Sequence, residues 1–193
     1  MPSRRVVLAL IAPLVAPLVA ALPTGCASPN PTLFTLAVVP GTPRAGAPRV
    51  IELRSIALAR YLERSQIVRS SEDFRLDVSG NDWWGEPLDA MLGRVLVQEL
   101  TDRLPGSTVF PENGAISATP DATVGVNIQR LDADRTGAVV LVAQIAISGR
   151  RTATRSVRLT VMPEAPGTPG LVGAMNAATA QLADTIAGML AGS

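Results

Sequence analysis

The densest group of reactive side chains is a run of carboxylates, Glu72, Asp73, Asp77, Asp82, Glu86 and Asp89. In principle such a set could hold Ca²⁺ or supply a carboxylate pair for acid–base work. It lacks the regular ligand spacing of a calcium loop and falls mostly on expected loops, so the reading adopted is solvated charge. The rest of the reactive inventory is short. There is no histidine and no lysine, and all 17 basic residues are arginine. Without imidazole the usual general base and the usual zinc ligand are missing. Without lysine neither a Ser/Lys dyad nor a phosphate-binding P-loop can form. No catalytic, metal or cofactor site is expected, and the chain reads as a non-enzyme.

One chemically distinctive residue remains, the single cysteine Cys26. Ahead of it stand Arg4 and Arg5, an apolar stretch over residues 6–21, and Leu22-Pro23-Thr24-Gly25. That order is a charged n-region, an apolar h-region and a small-residue cleavage site. A membrane-spanning helix needs about 20 apolar residues; this stretch is shorter and is interrupted by Pro13 and Pro17. Cys26 resembles the modified cysteine of a bacterial lipobox, although Pro23 stands where that pattern usually has leucine. The resemblance implies a diacylglyceryl group plus an amide-linked chain of the palmitate kind, and two such signals suffice for stable anchoring. Ala27 occupies the place where an inner-membrane retention signal usually has aspartate, which points to the outer membrane. The alternative is a plain secretory signal with a leftover thiol. The expected layout is a lipoprotein signal peptide over residues 1–25, a lipidated tether over 26–31, and a single periplasmic domain over 32–193.

Cleavage leaves 15 arginines against 16 acidic residues. No charge excess remains to attract nucleic acid. One cysteine permits no disulfide, so roughly 165 residues must be held by a core of their own. Residues 33–38 and 50–57 read as strands, residues 58–64 as one helical turn, and residues 66–70 and 74–78 as a short hairpin. The clearest helix opens at Pro87, a residue suited to the first helical position. Leu88, Met91, Leu92, Val95, Leu96, Leu100 and Leu104 then make one apolar stripe, which Pro105 and Gly106 terminate. Asp89, Arg94, Gln98, Glu99 and Asp102 are assigned to its solvated face. Three alternating runs follow. Val124, Val126 and Ile128 share a face in the first; Val139, Leu141, Ala143, Ile145 and Ile147 in the second; Ala153, Val157, Leu159 and Val161 in the third. A loop over residues 132–137 joins the first two. Three such runs suggest an antiparallel meander. After a proline-rich loop over residues 163–169, Leu171, Met175, Ala178, Leu182, Ile186 and Met189 mark a last helix. The expected fold is α+β, a two-layer sandwich of a mostly antiparallel sheet with both main helices packed on one face.

Two stretches carry a more specific signal: Tyr61-Leu62-Glu63-Arg64-Ser65-Gln66-Ile67-Val68, and Trp84-Gly85-Glu86-Pro87-Leu88. Together they resemble the PqiC (YmbA) family of ABC-type transport auxiliary lipoproteins. There a strand leads into P-x-Y-L-D-R-P-Q-I-V, and W-x-E-P-L opens the main helix. Tyr61, Leu62, Arg64, Gln66, Ile67 and Val68 match the first motif; Trp84, Glu86, Pro87 and Leu88 match the second. Ala59 and Ser65 replace its two prolines, and Glu63 its aspartate. Each matched residue has a structural reading: Trp84 packing its ring on the sheet, Pro87 setting the helix start, and Tyr61, Leu62 and Ile67 anchoring the segment to the core. The other reading is a partner-binding surface around residues 61–68.

The resemblance implies a non-enzymatic docking or assembly subunit of an MCE-type ABC system that moves lipids between the inner and outer membranes. Its expected partners are an MCE-domain periplasmic protein and, through the N-terminal lipid, the outer membrane; self-association into a homo-oligomer stays open. Two other classes also stay open. One is a pilotin-like or assembly lipoprotein of another envelope machine. The other is a direct lipid carrier, which requires an apolar cavity of roughly several hundred Å³.

Overall fold

The structure, a computed structural model, describes residues 30–115 and 118–192. The expected signal peptide and Cys26 lie outside the described residues. In chain order the elements are β1 (Thr32–Phe34), β2 (Val50–Leu53), β3 (Ala57–Leu58), a 3-10 turn (Arg60–Leu62), β4 (Gln66–Ser70), β5 (Asp77–Trp84), α1 (Leu88–Arg103), β6 (Thr108–Pro111), β7 (Ala122–Ala133), β8 (Val139–Gly149), β9 (Ala153–Val161) and α2 (Gly167–Ala191).

The sheet is organised around β7. On one side the three alternating runs form the expected antiparallel meander, β7 to β8 to β9. On the other side β7 takes β2, β3 and β4 in succession, all parallel. β2 carries β6 in parallel, β4 carries β5 antiparallel, and β5 carries β1 in parallel. The α+β class stands, with a mixed sheet. Its long pairings are antiparallel and most of its short ones are parallel. A bulge between Ile128 and Arg130 shifts the alternation of β7. Asp132, expected in the following loop, is therefore inside the strand and fully buried.

β1 stops at Phe34, short of the expected residue 38, because the next backbone donors are claimed by helical side chains. Leu36 N–H points at the Met91 sulfur at 3.1 Å, Ala37 N–H donates to Asn176 Oδ1 at 2.9 Å, and Val39 N–H donates to Glu99 Oε1 at 2.9 Å. Backbone amides need partners where water is excluded, and these supply what a longer strand would have given.

Leu88, Met91, Leu92, Val95, Leu96 and Leu100 of α1 are buried as their spacing predicts. Pro87 precedes the first helical residue instead of occupying it, and its carbonyl accepts the Met91 N–H at 3.0 Å. Glu99 corrects the helical-face assignment: it is wholly buried, not solvated. α2 begins within the expected loop, with Pro169 in its first turn, where a missing N–H leaves no bond unmade. Met175, Ala178, Leu182 and Ile186 join the α1 stripe and the inner faces of β7 and β8 in one core.

One charged residue locks the two helices together. The Arg103 side chain, 1% exposed, donates from Nε to Asp184 Oδ1 at 2.7 Å, from Nη1 to the Val39 carbonyl at 3.0 Å, and from Nη2 to the Ala180 carbonyl at 3.3 Å. Gly41 crosses directly over this guanidinium, which a β-carbon there would strike. A guanidinium presents its donors as a rigid planar fan, which suits acceptors on α2 and on the loop at Val39 at once.

Candidate functional site

The Tyr61 to Val68 segment leaves the sheet after β3 and returns to it as β4. Ala59 adopts φ −61° and ψ 134°, the backbone a proline would impose. Its N–H nevertheless donates to the Ile128 carbonyl at 2.9 Å, a bond proline could not make. This tie to β7 holds the segment where the family pattern uses ring stiffness. The turn then closes through Leu62 N–H to the Ala59 carbonyl at 2.8 Å and Glu63 N–H to the Arg60 carbonyl at 3.2 Å.

Tyr61 reaches across to β7, where its hydroxyl donates to Asp132 Oδ2 at 2.7 Å. The same oxygen accepts from Ser71 Oγ at 2.8 Å, and Asp132 Oδ1 accepts from Arg130 Nε at 2.9 Å. Arg130 continues through Nη2 to Glu72 Oε1 at 2.7 Å and to the Ala133 carbonyl at 3.2 Å. Burial first, then the Asp132 carboxylate, pushes the Tyr61 hydroxyl well above the ordinary phenol range, so it stays a donor. Burial opposes the charge on Arg130, but Glu72 and Asp132 outweigh it and hold the guanidinium above its usual value. A buried carboxylate needs this many donors to remain in place. The network joins the 3-10 turn, the β4–β5 loop and β7.

The two motifs, separated in sequence, meet in space. Gln66 stands opposite Trp83, and Trp84 N–H donates to the Ser65 carbonyl at 2.7 Å. Leu62, Ile67, Val68, Trp84 and Leu88 are buried in the core. Arg64 is exposed, its Nε donating to the Tyr61 carbonyl at 3.0 Å, and Gln66 is half-buried. Glu86 pairs with Arg94 at 2.6 Å across the start of α1, and Arg94 also reaches Thr35 Oγ1 at 3.5 Å. Between the motifs lies a surface groove of about 380 Å³ lined by Ile56, Leu58, Glu63, Pro87, Leu88 and Asp89. Glu63 lines it, and Arg60 and Arg64 on the same turn are exposed.

Most of the early carboxylate run faces cations and hydroxyls. Glu72 and Asp73 face Arg135, Asp77 faces Arg69, and Asp82 accepts from Ser79 and Thr168. Those two hydroxyls, Thr168 first, pull the Asp82 carboxyl below its usual range. Sequence reasoning found Tyr61 but missed Asp132, Arg130 and Ser71, because their meeting depends on the bulge and on partners 61 to 71 residues away.

A family model described as ABC-type transport auxiliary lipoprotein component matches residues 34–187. No curated protein matches the sequence. Among solved structures, a crystal structure of an uncharacterised protein is similar at TM-score 0.70 and 22% identity, covering 82% of this chain and 97% of its own. Protein XCC0632 from Xanthomonas campestris, of the DUF330 family, is similar at TM-score 0.67 and 17% identity, covering 82% and 93%. At those identities the likeness is one of fold.

Proposed function

The chain belongs to the family of ABC-type transport auxiliary lipoprotein components, of the PqiC (YmbA) kind, and we propose that it is the outer-membrane-anchored docking subunit of an MCE-type lipid transport system. Its role is accessory to transport and its place is at a membrane of the envelope, as the family entails. Among the described residues no helix is long and apolar enough to cross a membrane. In this reading the acyl chains on Cys26 make the attachment and the folded domain receives a periplasmic MCE-domain protein.

One observation carries the docking role: the family motif divides into a buried half and an exposed half. Leu62, Ile67, Val68, Trp84 and Leu88 build the core, while the Tyr61–Asp132 bond fixes the turn that displays Arg60, Glu63 and Arg64 beside the groove. A rigid turn presenting charged side chains at a groove of mixed polar and apolar lining suits a protein contact. A second surface groove, of about 810 Å³, is lined by Arg54, Glu112, Asn127, Gln144 and Arg155 together with Val126, Ile145 and Ala146. A groove of mixed lining that lies open at the surface does not enclose an acyl chain as a carrier's cavity must, which supports docking over direct carriage.

The test of the anchor is fractionation of cells expressing the chain or its Cys26→Ala variant. The expected result is wild-type protein in the outer-membrane fraction and the variant free in the periplasm. A variant that stays membrane-bound through its own residues would contradict the reading.

A further inference from the structure

We propose that the end of the domain formed by the β4–β5 turn and the β9–α2 loop lies against the phospholipid bilayer, with Phe74 and Leu76 entering its interfacial region. This rests on the reading of Cys26 as a lipid anchor. Phe74 is fully exposed, Leu76 is 38% exposed and Met162 is 61% exposed. They share one end of the molecule: Arg135 of the β7–β8 turn pairs with Glu72 and Asp73, while Arg69, Ser70, Asp77, Gly137, Met162 and Pro163 line one groove. Asp73 and Phe74 both hold positive φ, 54° and 59°. A bulky aromatic rarely adopts that backbone, and such strain gathers at functional places. Here it presents a ring that none of the described residues covers. An aromatic side chain with apolar neighbours and an arginine suits a bilayer interface, and Arg75 is exposed with no ion pair among the described residues.

The direction of the chain supplies the occupant. β1 runs parallel to β5, with Thr32 opposite Asp82, and the Asn30 carbonyl accepts from Asn81 Nδ2 at 3.2 Å. Traced back toward the N-terminus, the chain therefore heads toward Asp77 and the Phe74 turn. Asn30 lies at most about 14 Å along β5 from Asp77, and the four residues from Cys26 to Asn30 span at most about 14 Å. A fully extended tether of that length thus spans to the level of Asp77, at the base of the Phe74 turn. The β8–β9 turn at residues 149–152 lies at the opposite end, roughly 40 Å away by the length of β7, beyond the tether. The tether's start at Asn30 and the exposed Phe74, Leu76 and Met162 lie toward the same end of the sheet, which argues for a bilayer as the occupant.

Because Cys26 is the only cysteine, the unlipidated chain from Cys26 onward can be coupled to maleimide-headgroup lipid in phosphatidylethanolamine/phosphatidylglycerol vesicles and followed by hydrogen–deuterium exchange. The expected result is loss of uptake at residues 71–77 and 162–164 on vesicles relative to the free protein, with residues 149–152 unchanged. Phe74→Asp combined with Leu76→Asp should restore solution-like uptake while the protein stays coupled. Aspartate tolerates the left-handed backbone at position 74, and an unchanged thermal melt confirms the fold. Solution-like exchange at residues 71–77 in the coupled wild type overturns the proposal. So does protection that grows with protein concentration without vesicles, which assigns the patch to a second copy. A chain purified from cells without acyl mass on Cys26 defeats the anchor reading instead, an outcome distinct from both.

Discussion

The Tyr61 hydroxyl lies 2.7 Å from the buried carboxylate of Asp132, a residue 71 positions along the chain. Tyr61 belongs to the family motif; Asp132 sits beyond a bulge in β7 and explains why a tyrosine is needed there. Tyr61→Phe keeps the ring packing and removes one of three donors to Asp132. It should cost about 1–3 kcal/mol, seen as a melting temperature lowered by roughly 2–4 °C per kcal/mol. Combined with Asp132→Asn in a double-mutant cycle, the two effects should be non-additive. Additive losses would mean that the bond does not couple the turn to β7.

Arg103 makes a different kind of prediction, because it is buried and serves three elements at once. Arg103→Ala should destabilise by about 3–5 kcal/mol, since it strands the Val39 and Ala180 carbonyls as well as Asp184. Arg103→Lys should not rescue it, as one ammonium cannot span those acceptors. Gly41→Ala should weaken the fold in the same denaturation assay by displacing the guanidinium.

Glu99 gives the fold a pH signature. Burial, the largest influence, raises its carboxyl above the ordinary value of 4.5, despite the Val39 N–H and Arg103. The native state therefore holds this proton to higher pH than the unfolded chain does. By linkage, the group favours folding when protonated, and that contribution declines as pH rises through its raised folded value. Glu99→Gln removes the titration, so the variant should gain stability relative to wild type from about pH 4.5 upward. Urea denaturation of both proteins across that range measures the gap; a gap that shrinks with rising pH would contradict the assignment.

Position in the motif separates folding from docking. Trp84→Ala should cost about 3–5 kcal/mol, as expected for a large core side chain. Arg64→Ala should change stability by no more than about 0.5 kcal/mol, because the side chain is exposed. If the turn is the docking surface, Arg64→Glu should nevertheless weaken capture of the MCE partner in a pull-down at unchanged melting temperature. Full capture by Arg64→Glu would remove Arg64 from that surface.

What the sequence made visible follows from the range of the interactions involved. The α1 stripe and the β7 to β9 meander were legible because periodicity is local and each element has one apolar face. The parallel pairing of β2 and β3 with β7 was not, since the partners lie about 70 residues apart and leave no turn signature between them. Glu99 looked solvated by helical phase; the Val39 segment, 60 residues away, meets it, and Arg103 one turn further along the same helix is held over that segment. The motif residues were found by resemblance, whereas Asp132, Arg130 and Ser71 required the bulge to be seen.

The central claim is that this domain serves an MCE-type transporter from the outer membrane. Its most direct test is mass spectrometry of the proteins that copurify with the lipidated chain from outer membranes after mild crosslinking. The account predicts an MCE-domain protein, recovered with wild type and depleted with Arg64→Glu. Recovery of secretin or secretion-system subunits in its place would contradict it.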